Sequence, residues 1–580
     1  MLDITNVRVP LDAWAPKADT QGFLRKAAAR HLQVKPAEIG SVALCRRGID
    51  ARRKSDVHFV CTLAVALCDA VAEKRLLARA QAGDKGLAGV REHVPYAPLL
   101  PPTWPDGALR PVVVGTGPAG LFAALYLAKA GAKPLVVERG ECVEDRSRTV
   151  GAFNNGAPLD PTSNVQFGEG GAGTFSDGKL STNTKNVRIA HVLRWFVDAG
   201  APEEILWEAH PHIGSDKLPG VVAAMRRAIV ELGGEVRFRT RLADIRLEGG
   251  RLAGAELVGA DGAHEIVSAD RLVLACGHSA RDTFEMLLER GLTMQPKPFS
   301  VGVRIEHLQR DVNRAQWGPA ADHPALGAAE YKLVEHLKGD DPRNVYSFCM
   351  CPGGTVVCAA SEEGGVVVNG MSNHARDGRN ANAALLVGVS PDDFGYDGPL
   401  GGVRFQRDIE QAAYELAVKN GGRPHEAPAQ MVGAFLAAGT HGGARPLHAH
   451  RGGDAVEPTY ARGTVACDLH ECLPPFVSRA LEQAIPRLDR KLAGFANPAA
   501  VMTAPETRSS SPVRILRADD FQAVLRAGII GETEQGATGI YPCGEGPGYA
   551  GGITSAAVDG LKVAEALVAQ ARMAAGLPDA

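Results

Sequence analysis

The chain contains 580 residues, too many for a single hydrophobic core, so about two to four domains are expected. Its 45% hydrophobic and 22% charged residues, with a formal net charge of −3, are typical of a soluble globular protein. No apolar run is long enough to span a bilayer and the N-terminus has no signal-peptide pattern. We therefore expect a cytoplasmic protein without a membrane partner.

Residues 1–92 are predicted to form a small α+β domain. Alternation, capping residues and turns predict strands over 2–9, 41–45 and 57–67 and helices over 20–31 and 69–79. Residues 1–100 carry 16 Lys or Arg against 10 Asp or Glu, and the excess includes Arg46, Arg47, Arg52, Arg53 and Lys54. A solvated basic turn is the simpler interpretation, and contact with a nucleic acid is the alternative.

Residues 93–110 are predicted to be a linker. Five prolines lie within it, at positions 95, 98, 101, 102 and 105, and a sixth, Pro111, follows directly. Their fixed φ angles and missing N–H donors exclude both a helix and a central strand, so a semi-extended spacer is expected.

A dinucleotide-binding pattern follows the linker. A short apolar strand from residue 111 leads into a G-x-G-x-x-G turn, Gly115-Thr-Gly117-Pro118-Ala119-Gly120, and then into an amphipathic helix. Gly115 permits the tight turn, Gly117 lets a pyrophosphate approach the backbone, and Gly120 lets the helix pack close to the strand. The N–H groups at the start of the helix, around Pro118 and Ala119, are expected to face the phosphates.

An acid ends the second strand of this βαβ unit. Glu138 lies 18 residues after Gly120, where a carboxylate can accept hydrogen bonds from the adenosine ribose, and Arg139 stands beside it. A plain βαβ turn is the alternative interpretation. The ordered series of strand, glycine turn, helix, strand and acid favours a dinucleotide site.

A second glycine-rich block spans residues 164–180 and has five glycines in eleven residues. We expect its backbone, with Gly170 and Gly171, to pack tightly against the cofactor, although a mobile surface loop is the alternative. Ser176, Asp177 and Lys179 follow directly and are candidate catalytic residues, together with Glu506, Arg508 and His278. A structural salt bridge or cap is the alternative role for each of them.

Two further segments match the same kind of site. An apolar strand ends in Ala275-Cys-Gly277, where open α/β sheets bind ligands, and a late strand ends at Gly544 followed by Glu545. These segments resemble FAD-binding folds of the glutathione-reductase type, in which the late acid holds the ribityl chain of the flavin, and the resemblance implies this role for Glu545. Gly552 and Ile553, at the start of the last helix, are expected to offer N–H groups to the pyrimidine end of a flavin.

The eleven cysteines are scattered and odd in number, which argues against a disulfide framework. Cys349-Met-Cys351 is too tightly spaced for ordinary metal ligation, and Cys467 and Cys472 have no second ligand pair nearby. We therefore predict no metal site and interpret these residues as buried or half-buried free thiols.

The chain resembles the bacterial NAD(P)/FAD-dependent oxidoreductases, a family of FAD-dependent dehydrogenases with a glutathione-reductase-type FAD fold. The resemblance covers nearly the whole chain and rests on residues 115–120, 167–180, 348–354, 369–373, 506–512 and 544–552. Cys276 and Glu545 depart from the commoner Thr and Asp. The resemblance implies an α/β fold with a Rossmann-like FAD-binding domain in two parts, 111–295 and 496–580, around an inserted, mainly β substrate or lid domain over 296–495.

These observations predict an FAD-dependent oxidoreductase that moves two electrons through flavin N5. Its partner would be a small-molecule substrate or an electron carrier, and NAD(P)H is a candidate transient reductant although the chain has no second G-x-G-x-x-G. Two alternatives stay open. One is a flavin-dependent RNA-modifying enzyme whose basic N-terminal unit docks the nucleic acid, although a nucleic-acid partner is disfavoured. The other is an FAD-binding sensor or structural protein without turnover.

Overall fold

The N-terminal unit is a four-stranded antiparallel sheet with two helices. A computed structural model describes residues 1–441, 455–526 and 538–578 of the chain. The elements of this unit are β1 (Leu2–Val9), α1 (Thr20–Leu32), β2 (Ile39–Asp50), β3 (His58–Leu67), α2 (Ala70–Gln81) and β4 (Val90–Glu92), in the sheet order β2-β3-β1-β4. Strand β2 is longer than the predicted 41–45, because the basic segment continues its pairing with β3. Arg46 and Arg47 therefore lie in the sheet rather than in the turn.

Arg47 joins the N-terminal unit to the rest of the chain. Its guanidinium lies 4.8–4.9 Å from the ring centroids of Trp14, Phe59 and Trp207, and it pairs with the carboxylate of Glu208. Its backbone N–H also donates to the Trp207 carbonyl at 2.7 Å. A delocalised cation is attracted to aromatic faces, most strongly where water is excluded. Part of the basic excess of this unit is thus used in packing and is not free for a partner.

A five-stranded parallel sheet forms the centre of the following domain. Its strands are β5 (Val112–Val114), β6 (Leu135–Val137), β7 (Glu235–Arg237), β11 (Leu272–Leu274) and β23 (Ile540–Pro542), in the order β23-β11-β5-β6-β7. The helices of this domain are α3 (Pro118–Lys129), α4 (Val143–Asn154), α5 (Arg188–Asp198), α6 (Leu218–Glu231), α7 (Arg281–Glu289) and α12 (Ile553–Ala574). Strands from both ends of the chain thus meet in one sheet.

The segment from residue 235 to residue 248 does not form a single strand. It is split into β7 of the parallel sheet and β8 (Arg241–Glu248), which forms a separate antiparallel meander with β9 (Arg251–Val258) and β10 (His264–Ser268). Arg239, between the two strands, has a positive φ of 50°, so the chain turns there and leaves the parallel sheet.

The inserted region is built on a seven-stranded sheet. Its order is β14-β15-β18-β13-β21-β19-β20, with β13 (Phe299–Leu308), β14 (Val334–His336), β15 (Asn344–Cys351), β18 (Asn380–Val389), β19 (Ala427–Met431), β20 (Thr464–Ala466) and β21 (Val501–Glu506). Strands β16 (Thr355–Cys358) and β17 (Val368–Met371) form a small ribbon, and β12 (Met294–Pro296) pairs with β22 (Val513–Ile515). The sheet reaches Glu506, past the predicted boundary at residue 495.

Four helices accompany this sheet: α8 (Gln309–Trp317), α9 (Gly401–Lys419), α10 (Val432–His441) and α11 (Pro475–Asp489). Sequence periodicity did not indicate them. Among the helices of the described ranges, none combines the length and apolar composition that crossing a membrane requires.

Helices α3 and α12 pack with their backbones in close contact. A Cβ added to Gly560 of α12 would lie 2.3 Å from the carbonyl oxygen of Ala119 in α3, closer than any real Cβ contact. Gly560 is fully buried, so the backbones themselves would have to separate. The close approach places the N-termini of the two helices at the same cleft.

We predict that Gly560→Ala lowers the free energy of unfolding by about 1–3 kcal/mol because the added methyl overpacks this contact. Gly220→Ala in α6 is the matched control. A Cβ there meets nothing within 4 Å, so the variant should be neutral or slightly more stable. Urea unfolding of the two variants and the wild type measures the difference, and equal stabilities would contradict the close packing.

Candidate functional site

A cavity of about 320 Å³ opens at the carboxyl ends of the central strands. Gly115, Ala275 and Cys543, each directly after a strand of the parallel sheet, line it together. In open α/β sheets this edge is where ligands bind, because side chains and helix N-termini converge there. The cavity continues to the inserted domain, whose Phe348, Cys349 and Asn369 form part of the opposite wall. We call this cavity the cleft.

The glycines of the first motif are required by close backbone contacts. A Cβ on Gly115, at φ +98°, would lie 2.3 Å from the Ala275 carbonyl oxygen, and a Cβ on Gly120 would lie 1.9 Å from the Gly115 carbonyl oxygen. Around Gly117 the space is open, with the Gly171 Cα as the nearest atom at 4.0 Å. Gly117 therefore leaves a gap beside the backbone, which is the space that a pyrophosphate needs.

Two helix N-termini face the cleft without a side-chain cap. The N-cap residues of α3 and α12 are Gly117 and Gly552, which have no side chain that could cap the helix. Pro118, Ala119 and Ile553 also line the cleft. Uncapped N–H groups and the positive ends of the helix dipoles favour anionic groups. FAD, the cofactor that the resemblance implies, fits this arrangement, and contact of its diphosphate with α3 and of its ring with α12 stays a prediction.

Glu138 lies at the cleft and organises the loops around it. Its buried carboxylate accepts from the Thr116 N–H (2.9 Å), the Thr116 hydroxyl (2.6 Å), and the N–H groups of Gly140 and Gly168 (both 3.0 Å). It therefore ties the first glycine motif to the second. Contact with a ribose stays a prediction. Arg139 stacks on Phe167 at 4.5 Å and pairs with Asp282 at 2.8 Å.

Arg146, which was not indicated by the sequence, holds the second glycine-rich block. Its fully buried guanidinium donates to five backbone carbonyls of that block, those of Asn164, Val165, Gly168, Glu169 and Gly171. Burial lowers the pKa of Arg146 to about 10, so it stays cationic at neutral pH. Its only signal in the sequence is a charged residue on the apolar side of α4.

In the second block, Gly170 and Gly171 both have positive φ, 84° and 62°. Gly171 lines the cleft, and a Cβ there would lie 3.1 Å from the Gly117 Cα, so the two glycine motifs approach each other across it. Gly170 does not line the cleft. A Cβ there would lie 2.0 Å from the Thr174 hydroxyl oxygen, so close packing requires glycine at this position.

The three candidate catalytic residues have different environments. Ser176 lines the cleft, but its hydroxyl donates to the Gly173 carbonyl at 2.7 Å and accepts from the Gly178 N–H at 3.0 Å. Asp177 is fully buried, and its carboxylate accepts from Arg376 (2.5 and 3.0 Å) and from the Ser372 hydroxyl (2.5 Å). Lys179 is among the residues that line the cleft.

Lys179 is a fixed cation. It donates to the Met350 carbonyl and lies 3.2 Å from Glu330 and 3.6 Å from Asp177. Burial by itself lowers its pKa, but the carboxylates of Asp177 and Glu330 outweigh this effect and raise the pKa above its ordinary value. Lys179 therefore carries its charge at neutral pH and is suited to electrostatic stabilisation rather than to accepting a proton.

The late motif packs on the first one. A Cβ on Gly544 would lie 2.6 Å from the Ala119 Cβ, and the Gly544 N–H donates to Asp559 at 2.8 Å. Glu545 lines the cleft beside Gly277 and His278, whose ring nitrogen lies 3.9 Å from its carboxylate. Burial raises the pKa of Glu545 to about 7 and lowers that of His278 to about 3.

Two buried ion pairs support the wall formed by the inserted domain. Arg304, fully buried in β13, pairs with Glu506 and donates to Asn369 (2.7 Å) and Asn382 (3.0 Å). Arg508 makes a bidentate pair with Glu410 at 2.9–3.0 Å. Glu506 and Arg508 are therefore held in structural ion pairs at the edge of the cleft. The sequence did not predict Phe348, Cys349 and Asn369 as residues of the cleft. They lie in motifs on which the resemblance to the family rests.

Comparison with known proteins gives matches over most of the chain. Residues 109–286 match the family model of the pyridine nucleotide-disulphide oxidoreductases, residues 298–509 match that of the FAD-dependent protein C-terminal domain, and residues 1–66 match a domain of unknown function. An uncharacterised protein of Clostridium beijerinckii is 43% identical over 568 residues, which cover 97% of this chain and 98% of that protein.

Solved structures are similar at a lower level. The 3-ketosteroid-Δ4-(5α)-dehydrogenase of Rhodococcus jostii RHA1 is 13% identical, with coverage of 82% of this chain and 99% of that chain and a TM-score of 0.33. A triple mutant of the flavin-dependent brominase Bmp2 is 14% identical, with coverage of 81% and 82% and a TM-score of 0.37.

We predict that Arg146→Lys loses about 2–4 kcal/mol of stability and most FAD affinity, because one ammonium cannot reach five carbonyls and leaves several unsatisfied. Arg148→Lys on the same helix is the control, since the Arg148 side chain is 78% exposed. Thermal unfolding without the cofactor and fluorescence titration with FAD measure the two effects. Wild-type affinity in Arg146→Lys would contradict this role.

We predict opposite effects of Glu545→Gln on stability and on FAD binding. Because the folded-state pKa of about 7 lies above the ordinary 4.5, Glu545 destabilises the cofactor-free fold increasingly as the pH rises through this window. The variant should gain about 1–3 kcal/mol at pH 8 and less than about 1 kcal/mol at pH 5. It should also bind FAD roughly tenfold more weakly if a ribityl hydroxyl donates to the carboxylate.

Urea unfolding at the two pH values and FAD titration measure these effects. The control is Glu248→Gln on the exposed end of β8, which should follow the wild type at both pH values. A stability gain for Glu545→Gln that is the same at pH 5 and pH 8 would show that burial of this carboxyl is not its cause.

Proposed function

We propose a two-electron reaction for this chain, which belongs to the family of NAD(P)/FAD-dependent oxidoreductases and has FAD as its cofactor. In this proposal a small organic substrate or an electron carrier enters the cleft and meets flavin N5 between the FAD-binding and inserted domains. FAD, when bound, supplies the electron chemistry. The chain's own side chains bind, orient and shield the reactants.

The observation that carries this proposal is the composition of the two walls of the cleft. One wall consists of glycine turns and uncapped helix N-termini, which leave backbone N–H groups free for a cofactor. The other wall carries side chains of the inserted domain, including Phe348, Cys349 and Asn369. A binding protein without turnover needs only the first wall. The second wall provides chemically varied groups at the ring end of the site.

Lys179 is proposed as the electrostatic residue of the reaction. Its ammonium is held by Asp177, Glu330 and the Met350 carbonyl, so it cannot turn away or lose its proton easily. A fixed positive charge in a partly dehydrated cleft stabilises negative charge that develops nearby during electron transfer. Asp177 positions this cation from behind the cleft, and Ser176 holds the turn that precedes it.

The N-terminal unit takes no part in the proposed chemistry. Arg47 is enclosed by three aromatic rings and Glu208, and Arg52 pairs with Asp50. These contacts remove part of the positive charge on which RNA docking would depend. A salt titration of RNA binding tests that alternative, since a flat dependence excludes counterion release.

We predict that the purified protein shows the two-peaked visible absorption of flavin and that NADH or NADPH bleaches it under anaerobic conditions. Lys179→Met should retain FAD but lower the flavin midpoint potential by roughly 30 mV or more, a tenfold change for a two-electron couple. Removal of a nearby cation disfavours the more negative reduced flavin. Lys185→Met, at an exposed position in the same segment, is the control and should match the wild type.

Redox titration with reference dyes measures the potentials. Equal potentials for Lys179→Met and the wild type would remove Lys179 from the proposed role. A colourless protein that binds NAD but not FAD would overturn the proposed function itself.

A further inference from the structure

The strand that carries Cys349 and Cys351 is distorted where it meets the cleft. In β15, Phe348 pairs with Ala384 of β18 but Cys351 pairs with Asn382, so one extra residue is accommodated between them. Cys349 has a positive φ of 40°, which is rare for a residue with a side chain. Bulges of this kind re-aim side chains and are frequent beside active sites. Here the bulge brings Cys349 into the lining of the cleft.

Two cations hold the bulge in place. Arg304 donates to the Cys349 carbonyl at 2.9 Å, and Lys179 donates to the carbonyl of Met350. Arg304 is itself fixed by its buried pair with Glu506. A strained backbone persists only where surrounding contacts over-determine it, and these charge-assisted hydrogen bonds do so on two successive carbonyls. The same cations lie beside the thiols.

The two thiols are close to each other but differ in access. Cys351 is fully buried, its sulfur lies 3.2 Å from the Cys349 carbonyl oxygen, and the two thiols are close enough to shift each other's pKa. The Cys351 thiol, followed by Arg304 and Lys179, lowers the pKa of Cys349, whereas the Cys349 thiol, followed by burial, raises the pKa of Cys351. Glu545, Glu506 and Asp177 are the acids that face the pair.

No other cysteine in the described ranges combines these features. The remaining nine are free thiols, and burial raises the pKa of most of them, for example to about 12 in Cys61 and Cys276. A thiol with a lowered pKa that opens into a cavity is reactive, and a second thiol in contact with it can resolve a mixed disulfide.

We propose that Cys349 and Cys351 form a dithiol–disulfide couple that exchanges two electrons with FAD in the cleft. This inference rests on the proposed function and specifies its substrate class as a dithiol or disulfide compound. In the oxidative direction both S–H bonds break and one S–S bond forms between the two residues. The two electrons and one proton reduce oxidised FAD, and the second proton leaves to solvent. The reverse direction reduces the disulfide.

The roles of the two residues follow from their access. Cys349 lines the cleft and exchanges with the external disulfide, forming a mixed disulfide and releasing one substrate thiol. Cys351 then attacks the Cys349 sulfur from within the fold and releases the second substrate thiol. Arg304 and Lys179 stabilise the thiolate during both exchanges.

The experiment uses the full-length FAD-loaded protein. The protein is first reduced, and the reductant is removed in the absence of oxygen. The bound FAD is then reoxidised with a stoichiometric amount of ferricenium, and the protein is incubated. Thiols are then trapped with iodoacetamide in denaturant, which exposes the buried Cys351, and the peptides are read by mass spectrometry. We expect Cys349 and Cys351 to lose alkylation together, with a peptide mass lower by two hydrogens, while Cys68 stays alkylated. Cys349→Ser should leave Cys351 reduced, and Cys68→Ser, at an exposed position, should behave as the wild type.

A parallel sample of cofactor-free wild type is treated with diamide, which oxidises neighbouring thiols directly. Disulfide formation between Cys349 and Cys351 in both samples supports the couple. Alkylation of both residues in the FAD-loaded sample overturns it. If NADH or NADPH still bleaches the flavin in that case, the proposed function stands without the couple. If the protein binds no flavin, the proposed function fails, and the diamide sample alone decides whether the thiols can pair.

Discussion

The buried guanidinium of Arg146 is the contact on which the cleft depends. The second glycine-rich block has too few side chains to pack its own backbone, and its carbonyls point inward away from water. An unpaired buried carbonyl costs free energy, so the block needs a donor with several directed N–H groups. Arg146 satisfies five carbonyls at once, and the block can then approach the first glycine motif. Glu138 completes this frame from the other side by accepting four hydrogen bonds.

Arg146 and Glu138 leave backbone N–H groups at two helix starts available for further hydrogen bonds. Both α3 and α12 have glycine at the N-cap and therefore lack a side-chain cap from that residue, and they reach the same cleft because Gly560 lets them pack closely. The charged groups at its rim are largely paired with one another, as Lys179 is with Glu330 and Asp177. Fixed charges of this kind tune a reaction without taking up or releasing protons.

The inserted domain contributes the less regular wall. Its seven-stranded sheet ends at the cleft in a bulge, where the pair of Arg304 with Glu506 and the ammonium of Lys179 hold two carbonyls. The family model that matches this region covers residues 298–509, close to the limits of the sheet. Differences in substrate between members of this family would arise on this wall, since the opposite wall is constrained by the cofactor.

The βαβ unit and its glycine positions could be predicted from the sequence, because they rest on local rules of turns, helix starts and spacing within one segment. FAD followed from the resemblance of several separate motifs to a known family. The sequence also indicated that Ala275, Gly277, Gly544 and Glu545 belong to one site. The surroundings of Arg146, Arg304 and Cys349 became visible only in the tertiary structure. Their partners lie on segments distant in the chain, and a buried arginine or a bulged cysteine has the same local sequence signal as an exposed one. The physical reason is that burial, ion pairing and thiol reactivity are properties of assembled neighbours, whereas a glycine turn needs only its own backbone.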